Sequence, residues 1–216
     1  MNREEFCKLH WNYYLALEKD FLDTERYVSF DLGDNYLYTS QTVTDYGNSN
    51  TFSNEFIKQY QAICSEVDVV LKSICKELGN ASLVNIKQYT ELVLRYWKNL
   101  PNQKVRMKTI ELQPLKGWTS NPHNSPDWWR EYNSVKHDRL GNFRRANLKN
   151  VVNALAGLYT LELYLVKFIG DRDHERDVPN DISKLFELID FQTNDVVLGY
   201  ESYVITNQEI DALCEI

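Results

Sequence analysis

The longest apolar run of the chain, residues 151–169, constrains the fold more than any other feature of the sequence. The polar residues on and beside this run share one narrow helical stripe: Lys149, Asn153, Thr160 and Lys167. A charge at the middle of a membrane span costs roughly 2.5–3.5 kcal/mol, and the run carries both Glu162 and Lys167. We therefore predict a long helix, capped by Asn142 and ending near Ile169, at the centre of a bundle rather than in a membrane.

The other periodic segments predict a mainly helical protein. Apolar residues at three- and four-residue spacing indicate helices over residues 3–28, 53–78, 85–99, 128–140 and 181–191. Extended or hairpin segments are expected at residues 27–30, 36–39, 104–112 and 196–205. We therefore predict an all-α fold, with a single domain over residues 1–216. It would be a helical bundle of about five main helices with a small β-like hairpin or arm.

The same periodicity predicts which side chains form the core. In the first helix the apolar stripe consists of Phe6, Leu9, Tyr13, Leu17 and Phe21. In the second helix the seam consists of Phe56, Tyr60, Ile63, Val67, Val70 and Ile74. Ser53 is expected to cap the second helix, and Ser125 to cap the helix over residues 128–140 with Pro126 at its first position.

The cysteines and the N-terminal sequence predict a cytoplasmic protein. Cys7, Cys64, Cys75 and Cys214 lie far apart in the sequence and form no C-x-x-C pair. We interpret them as core thiols, which suit a reducing compartment. The first twenty residues have no apolar signal segment, so neither secretion nor a membrane location is expected.

Charge is concentrated unevenly along the chain. The net charge is −7, yet residues 104–149 contain ten basic and four acidic residues. A basic segment in an acidic protein suits the docking of an anion at one place. The alternative is that these cations pair with acidic side chains of the same chain.

The densest group of reactive side chains lies in residues 128–139. On a helix, Arg130, Asn133 and His137 share one stripe, while Tyr132, Lys136 and Arg139 lie on the adjoining one. Arg130 and His137 are about 10 Å apart along the axis, so they could address two parts of one phosphodiester. Arginine offers a fixed fork of donors to a phosphate, and neighbouring cations favour the neutral imidazole that a general base needs. Tyr132 and the adjacent tryptophans offer ring faces for base stacking.

This R-x6-H spacing, on a short helix before a long apolar one, resembles the HEPN superfamily over residues 53–170. The string W-W-x-x-Y-N-x-x-K-H-x-R is also similar to a group of uncharacterised bacterial helical proteins. The resemblance implies a typically dimeric helical bundle with a metal-independent RNA-cleaving site, often found in toxin–antitoxin or phage-defence systems. It assigns Arg130 as the phosphate clamp and His137 as the general acid/base. Glu131 departs from the motif, which usually has Asn, Asp or His at that position.

Two hypotheses follow from these residues. The first is a cofactor-free endoribonuclease with RNA as substrate, a homodimer, and an antitoxin or other partner protein. Its catalytic residues are Arg130 and His137, and helix geometry adds four substrate-binding residues: Tyr132, Asn133, Lys136 and Arg139. The second is a non-catalytic nucleic-acid- or protein-binding module on the same scaffold. Buried aromatic residues and internally paired cations would favour the module, whereas an open basic cleft around His137 would favour the enzyme.

Overall fold

The computed structural model describes residues 1–33, 47–194 and 199–206. Its α-helices are α1 (Arg3–Phe6), α2 (Asn12–Asp23), α3 (Asn54–Glu77), α4 (Ile86–Tyr96), α5 (Asp127–His137), α6 (Arg139–Asn142) and α7 (Leu148–Asp173). A π-helical turn spans Cys7–Trp11, and 3₁₀ turns span Thr24–Arg26, Leu100–Asn102 and Phe143–Arg145. The strands are β1 (Val105–Met107), β2 (Ile110–Leu112), β3 (Thr119–Ser120), β4 (His123–Asn124), β5 (Glu187–Leu188), β6 (Phe191–Thr193) and β7 (Tyr203–Ile205).

Helix α7 lies at the centre of the fold, as its apolar run predicts. Nearly every side chain from Leu148 to Gly170 is buried, and α3 packs along the helix. By length and composition α7 could also cross a membrane, but 89% of its most apolar window is buried inside the protein. The predicted start of α7 is wrong, because the Asn147 side chain rather than that of Asn142 accepts the capping hydrogen bond, at 3.0 Å from the Asn150 N–H.

Helix α3 forms as predicted. The Ser53 hydroxyl accepts a hydrogen bond from the Phe56 N–H at 3.0 Å, which satisfies a free donor of the first turn. All six seam residues are buried: Phe56, Tyr60, Ile63, Val67, Val70 and Ile74. This seam faces α7, so the two longest helices form the main layer of the core.

The buried face of the N-terminal helix differs from its prediction. Three of the predicted residues are buried: Phe6, Leu17 and Phe21. Leu9 and Tyr13, however, are 60% and 45% exposed. The π-helical turn Cys7–Trp11 spans the residues next to which the pattern changes, while Leu17 and Phe21 further along α2 keep the predicted face. The side chains that enter the core instead are His10, Trp11 and Tyr14.

The described residues form three small antiparallel sheets, so the protein is mainly helical rather than all-α. Strand β1 pairs with β2 and β5, β3 pairs with β4, and β6 pairs with β7. The extended structure predicted for residues 104–112 from their alternating polar and apolar side chains is confirmed. Strands β1 and β2 form a hairpin there, with Val105 opposite Leu112. The predicted helix over residues 181–191 is wrong. The buried Glu18 carboxylate accepts the backbone N–H groups of Lys184 and Leu185, and β5 pairs with β1, so the segment is held extended.

The cysteines within the described residues are buried free thiols, as predicted: Cys7, Cys64 and Cys75. Burial raises the pKa of the Cys64 thiol, and it raises the pKa of Cys75 to about 12. The Cys64 and Cys75 thiols are therefore protonated at neutral pH and act as core side chains. Cys214 and the hairpin expected at residues 36–39 lie outside the described residues.

Candidate functional site

Helix α5 carries the motif, and its first turn is fixed to the bundle. The Trp128 indole N–H donates to the Pro114 carbonyl at 2.6 Å, and the Trp128 carbonyl accepts a hydrogen bond from the Tyr60 hydroxyl of α3. Gly157 of α7 makes room for this indole, since an added Cβ would lie 2.8 Å from the Trp128 ring. Helix α5 is thus held against both α3 and α7.

The aromatic residues of the motif belong to the core. Trp128, Trp129 and Tyr132 are 4%, 7% and 7% exposed. The Tyr132 ring lies edge-on to Tyr60 with 5.8 Å between centroids, and burial raises the pKa of its hydroxyl. At this burial Tyr132 has no open ring face for the base stacking that the sequence suggested.

The Arg130 side chain is 50% exposed, and its guanidinium is anchored to the chain just before α5 and to Asp127 in the first turn. Its Nη1 donates to the Asn124 side-chain oxygen at 2.6 Å and to the Ser125 carbonyl at 2.9 Å. Its Nη2 donates to the Asp127 carboxylate. Ser125 thus supplies a carbonyl to Arg130 and does not cap α5 as predicted, since no side chain caps this helix. A guanidinium has five N–H donors, so part of the fork stays open to a phosphate.

His137 is the last residue of α5, and its side chain is exposed. No described residue forms a hydrogen bond or an ion pair with its ring. Two of the predicted supporting residues, Lys136 and Arg139, flank it and are also exposed, while Asn133 is half-buried one turn earlier. The geometry therefore leaves the imidazole accessible, on the same helical stripe as Arg130 and about 10 Å further along the axis.

The charge of Glu131 is balanced by a contact that the sequence analysis missed. Its carboxylate pairs with the Arg145 guanidinium, which the 3₁₀ turn Phe143–Arg145 brings beside α5. The negative charge next to the phosphate clamp is therefore partly neutralised within the chain. The predicted helix over residues 128–140 is wrong at its end, because α5 stops at His137 and the Asp138 carboxylate accepts the Gly141 N–H, which caps the separate turn α6.

Some cations of the basic segment 104–149 pair with acidic side chains of the chain, and others are free to bind an anion. Five of its cations form an ion pair with another described residue: Lys104, Arg106, Lys108, Arg130 and Arg145. Four exposed cations form no ion pair with a described residue: Lys116, Lys136, Arg139 and Arg144. Three of these four lie in residues 136–144, around the end of α5. Positive charge is thus available next to His137 as well as at Lys116.

The described residues contain no group of three or more His, Cys, Asp or Glu side chains placed to hold a metal ion. No protein-family model matches the chain, and no curated protein or solved structure is significantly similar to it. The resemblance to the HEPN superfamily therefore depends on the Arg130 to His137 spacing and its helical context alone.

Proposed function

We propose that the protein is a metal-independent endoribonuclease of HEPN type in which His137 is the general acid/base and Arg130 is the phosphate clamp. The observation that carries the proposal is the exposed and unengaged imidazole of His137 at the end of α5. Exposed cations at Lys136 and Arg139 stand on either side of it. An accessible imidazole beside free positive charge suits a reaction on an anionic substrate.

The proposed chemistry needs only side chains of this protein. The neutral His137 imidazole accepts the proton of a ribose 2′-hydroxyl, whose oxygen attacks the adjacent phosphorus. The bond from phosphorus to the 5′-oxygen of the next nucleotide breaks, and that oxygen takes a proton from a protonated His137 imidazole. The products are a 2′,3′-cyclic phosphate and a 5′-hydroxyl. Arg130 stabilises the charge on the phosphate oxygens through the donors that its anchors leave free.

The proposal includes a cytoplasmic homodimer and regulation by an antitoxin or another partner protein, as the resemblance implies. Two copies of α5 could supply two histidines to one site, one to accept a proton and one to donate it. The 90% exposed side chain of Leu140, three residues after His137, offers an apolar contact for such an assembly. An interface at this point would bring His137 of one protomer close to its partner.

The direct test is incubation of purified protein with single-stranded and structured RNA in EDTA. We expect cleavage to continue in the chelator, because neither proton transfer nor charge stabilisation requires a metal ion in this scheme. Protein carrying His137→Ala serves as the control for a contaminating nuclease. Failure of the wild-type protein to cleave any of these RNAs, at any pH between 6 and 9, would overturn the proposal.

Releasing Arg130 from Asp127 should increase its affinity for phosphate. Asp127→Asn removes the charged partner but keeps a side chain of similar shape. An exposed ion pair of this kind changes an equilibrium constant by up to about fivefold. We expect KM for RNA to fall by up to about fivefold. Asp23→Asn is the matched control, because Asp23 pairs with Arg26 at the same three-residue spacing on another helix. An unchanged or higher KM for Asp127→Asn would show that Arg130 does not clamp the substrate.

The second candidate function is a non-catalytic binding module for nucleic acid or protein. The burial of Trp118, Trp128, Trp129 and Tyr132 favours it, because these rings stabilise the fold and are not displayed to a ligand. The occupied guanidinium of Arg130 favours it as well. RNA binding without cleavage in the chelator assay would identify this function.

A further inference from the structure

A polar groove lies between α4 and the β3–β4 hairpin, outside the candidate site on α5. It has a volume of about 600 Å³ and opens to solvent. Its polar lining consists of Lys87, Glu91, Arg95, Ser120, Asn121 and His123. We call it the α4 groove. The amphipathic pattern of α4 and the turn residues of the hairpin give no sequence signal for this groove.

The charged residues of the α4 groove are not used by the fold. Lys87, Glu91 and Arg95 are spaced four residues apart, so they share one face of α4 and point to the same side. All three are exposed, and none forms a hydrogen bond or ion pair with a described residue. Five cations of the segment 104–149, in contrast, pair within the chain. The α4 groove therefore presents two cations whose charge is free for a ligand.

His123 lines the groove and is only weakly held by the fold. Its Nε2 lies 3.5 Å from the Ser125 hydroxyl, at the limit of a hydrogen bond. Its Nδ1 atom is buried and has no partner in the part of the chain that the structure describes. A buried polar atom without a partner is uncommon and costs free energy, so few contacts oppose a rotation of this ring.

The mixed lining fits an RNA strand better than a simple anion. Lys87 and Arg95 are about 12 Å apart along the helix axis, which is too far for both to grip one phosphate. Glu91 lies between them, and its carboxylate would repel an isolated anion. In an RNA strand the same carboxylate can accept a hydrogen bond from a 2′-hydroxyl or a base amino group while the cations bind neighbouring phosphates. Ser120 and Asn121 can donate or accept along the same strand.

The α4 groove is connected to the candidate active site through strand β4. His123 lines the groove, and the next two residues, Asn124 and Ser125, accept the hydrogen bonds of Arg130. We propose that the α4 groove is an RNA-binding subsite that holds the strand flanking the scissile phosphate and guides it towards Arg130. This inference rests on the proposed function for the identity of the ligand as RNA.

The test measures RNA affinity and its dependence on salt for Lys87→Ala/Arg95→Ala. A fluorescein-labelled single-stranded RNA is titrated by anisotropy, with His137→Ala present in every protein so that the RNA stays intact. Loss of two phosphate contacts should weaken binding about tenfold and reduce the slope of log K against log salt by about 1.4. The matched control is Lys8→Ala/Lys19→Ala, which removes two exposed and unpaired cations from the N-terminal helix. It should leave the slope unchanged.

Cleavage by proteins that retain His137 separates this inference from the proposed function. Lys87→Ala/Arg95→Ala should raise KM about tenfold with kcat unchanged, because binding away from the reacting bond is lost equally from substrate and transition state. An affinity and a slope equal to those of the control would overturn the subsite, even where the wild-type protein cleaves RNA. Groove-dependent binding without any cleavage would support the subsite and overturn the ribonuclease. No binding of RNA by the His137→Ala protein would also overturn the subsite.

Discussion

Replacing His137 by alanine is expected to reduce the kcat for RNA cleavage by a factor of about 10²–10⁴. A positioned general acid/base contributes a rate factor in this range. The exposed ring forms no hydrogen bond with a described residue, so the substitution removes proton transfer without breaking a structural contact. Single-turnover cleavage of a labelled RNA, measured with excess protein, reports this step without interference from product release.

The fold should tolerate this substitution. His137 is exposed at the end of α5 and packs in no core layer, so the free energy of unfolding should change by less than about 0.5 kcal/mol. His137→Gln is the conservative comparison, because it keeps polar atoms but cannot exchange a proton near neutral pH. Cleavage by either variant at more than a tenth of the wild-type rate would place the chemistry on another residue.

Replacing Glu162 by glutamine is expected to change how stability depends on pH. Glu162 lies in the middle of α7 with 0% exposure, and neither carboxylate oxygen has a hydrogen-bond partner among the described residues. Burial raises the pKa of this carboxyl well above its usual value, and the negative charge of Glu66 on α3 raises it further. The folded protein therefore retains a proton that the unfolded chain releases above about pH 4.3.

The direction of this effect follows from proton binding. Above about pH 4.3 the folded state binds more protons than the unfolded state, so stability falls with rising pH by up to about 1.4 kcal/mol per pH unit. The decline continues until the pH passes the raised pKa of the folded state. Glutamine cannot ionise, so the stability of Glu162→Gln does not show this decline with pH. The stability of Glu162→Gln relative to wild type should therefore increase from pH 5 to pH 8.

Urea unfolding at pH 5, 6.5 and 8 measures this difference. The free energy of unfolding of Glu162→Gln minus that of wild type should increase at each step. Glu175→Gln, at an exposed position after α7, is the matched control and should give a difference that does not vary with pH. Parallel curves for Glu162→Gln and wild type would show that Glu162 ionises normally in the folded state.

The parts of the fold with local causes could be predicted from the sequence. Helix α3 has a capping Ser53 and a continuous apolar seam, so its start and its buried face were both predictable. Helix α7 is apolar on almost all sides, and only other segments of the protein can cover such a helix. Its central position could therefore be predicted. The alternation in residues 104–112 predicted an extended segment for an equally local reason, although its division into the β1–β2 hairpin was not predicted.

The differences from prediction have non-local causes. Trp11 and Tyr14 enter the core in place of Leu9 and Tyr13, and they form hydrogen bonds with the Asp181 carbonyl and the Ser183 hydroxyl, which are distant in sequence. Residues 181–191 have a helical pattern, but the Glu18 carboxylate and strand β1 satisfy their backbone groups in an extended form. In both places tertiary contacts outweigh local periodicity.

The candidate site was predictable only in part. Helix α5 places Arg130 and His137 on one stripe, as their spacing indicates. The anchoring of Arg130 by Asn124 and the pairing of Glu131 with Arg145 depend on turns whose geometry periodicity does not show. The α4 groove was hidden for the same reason, since its two walls are separated in sequence by more than twenty residues.

The chemical nature of the RNA ends tests the central claim most directly. Wild-type protein is incubated in EDTA with an RNA of defined sequence, and the products are analysed by mass spectrometry. Attack by the 2′-hydroxyl under the control of His137 and Arg130 predicts 2′,3′-cyclic phosphate and 5′-hydroxyl ends, both lost in His137→Ala. A 3′-hydroxyl with a 5′-phosphate, or ends of the predicted kind produced equally by His137→Ala, would contradict the account.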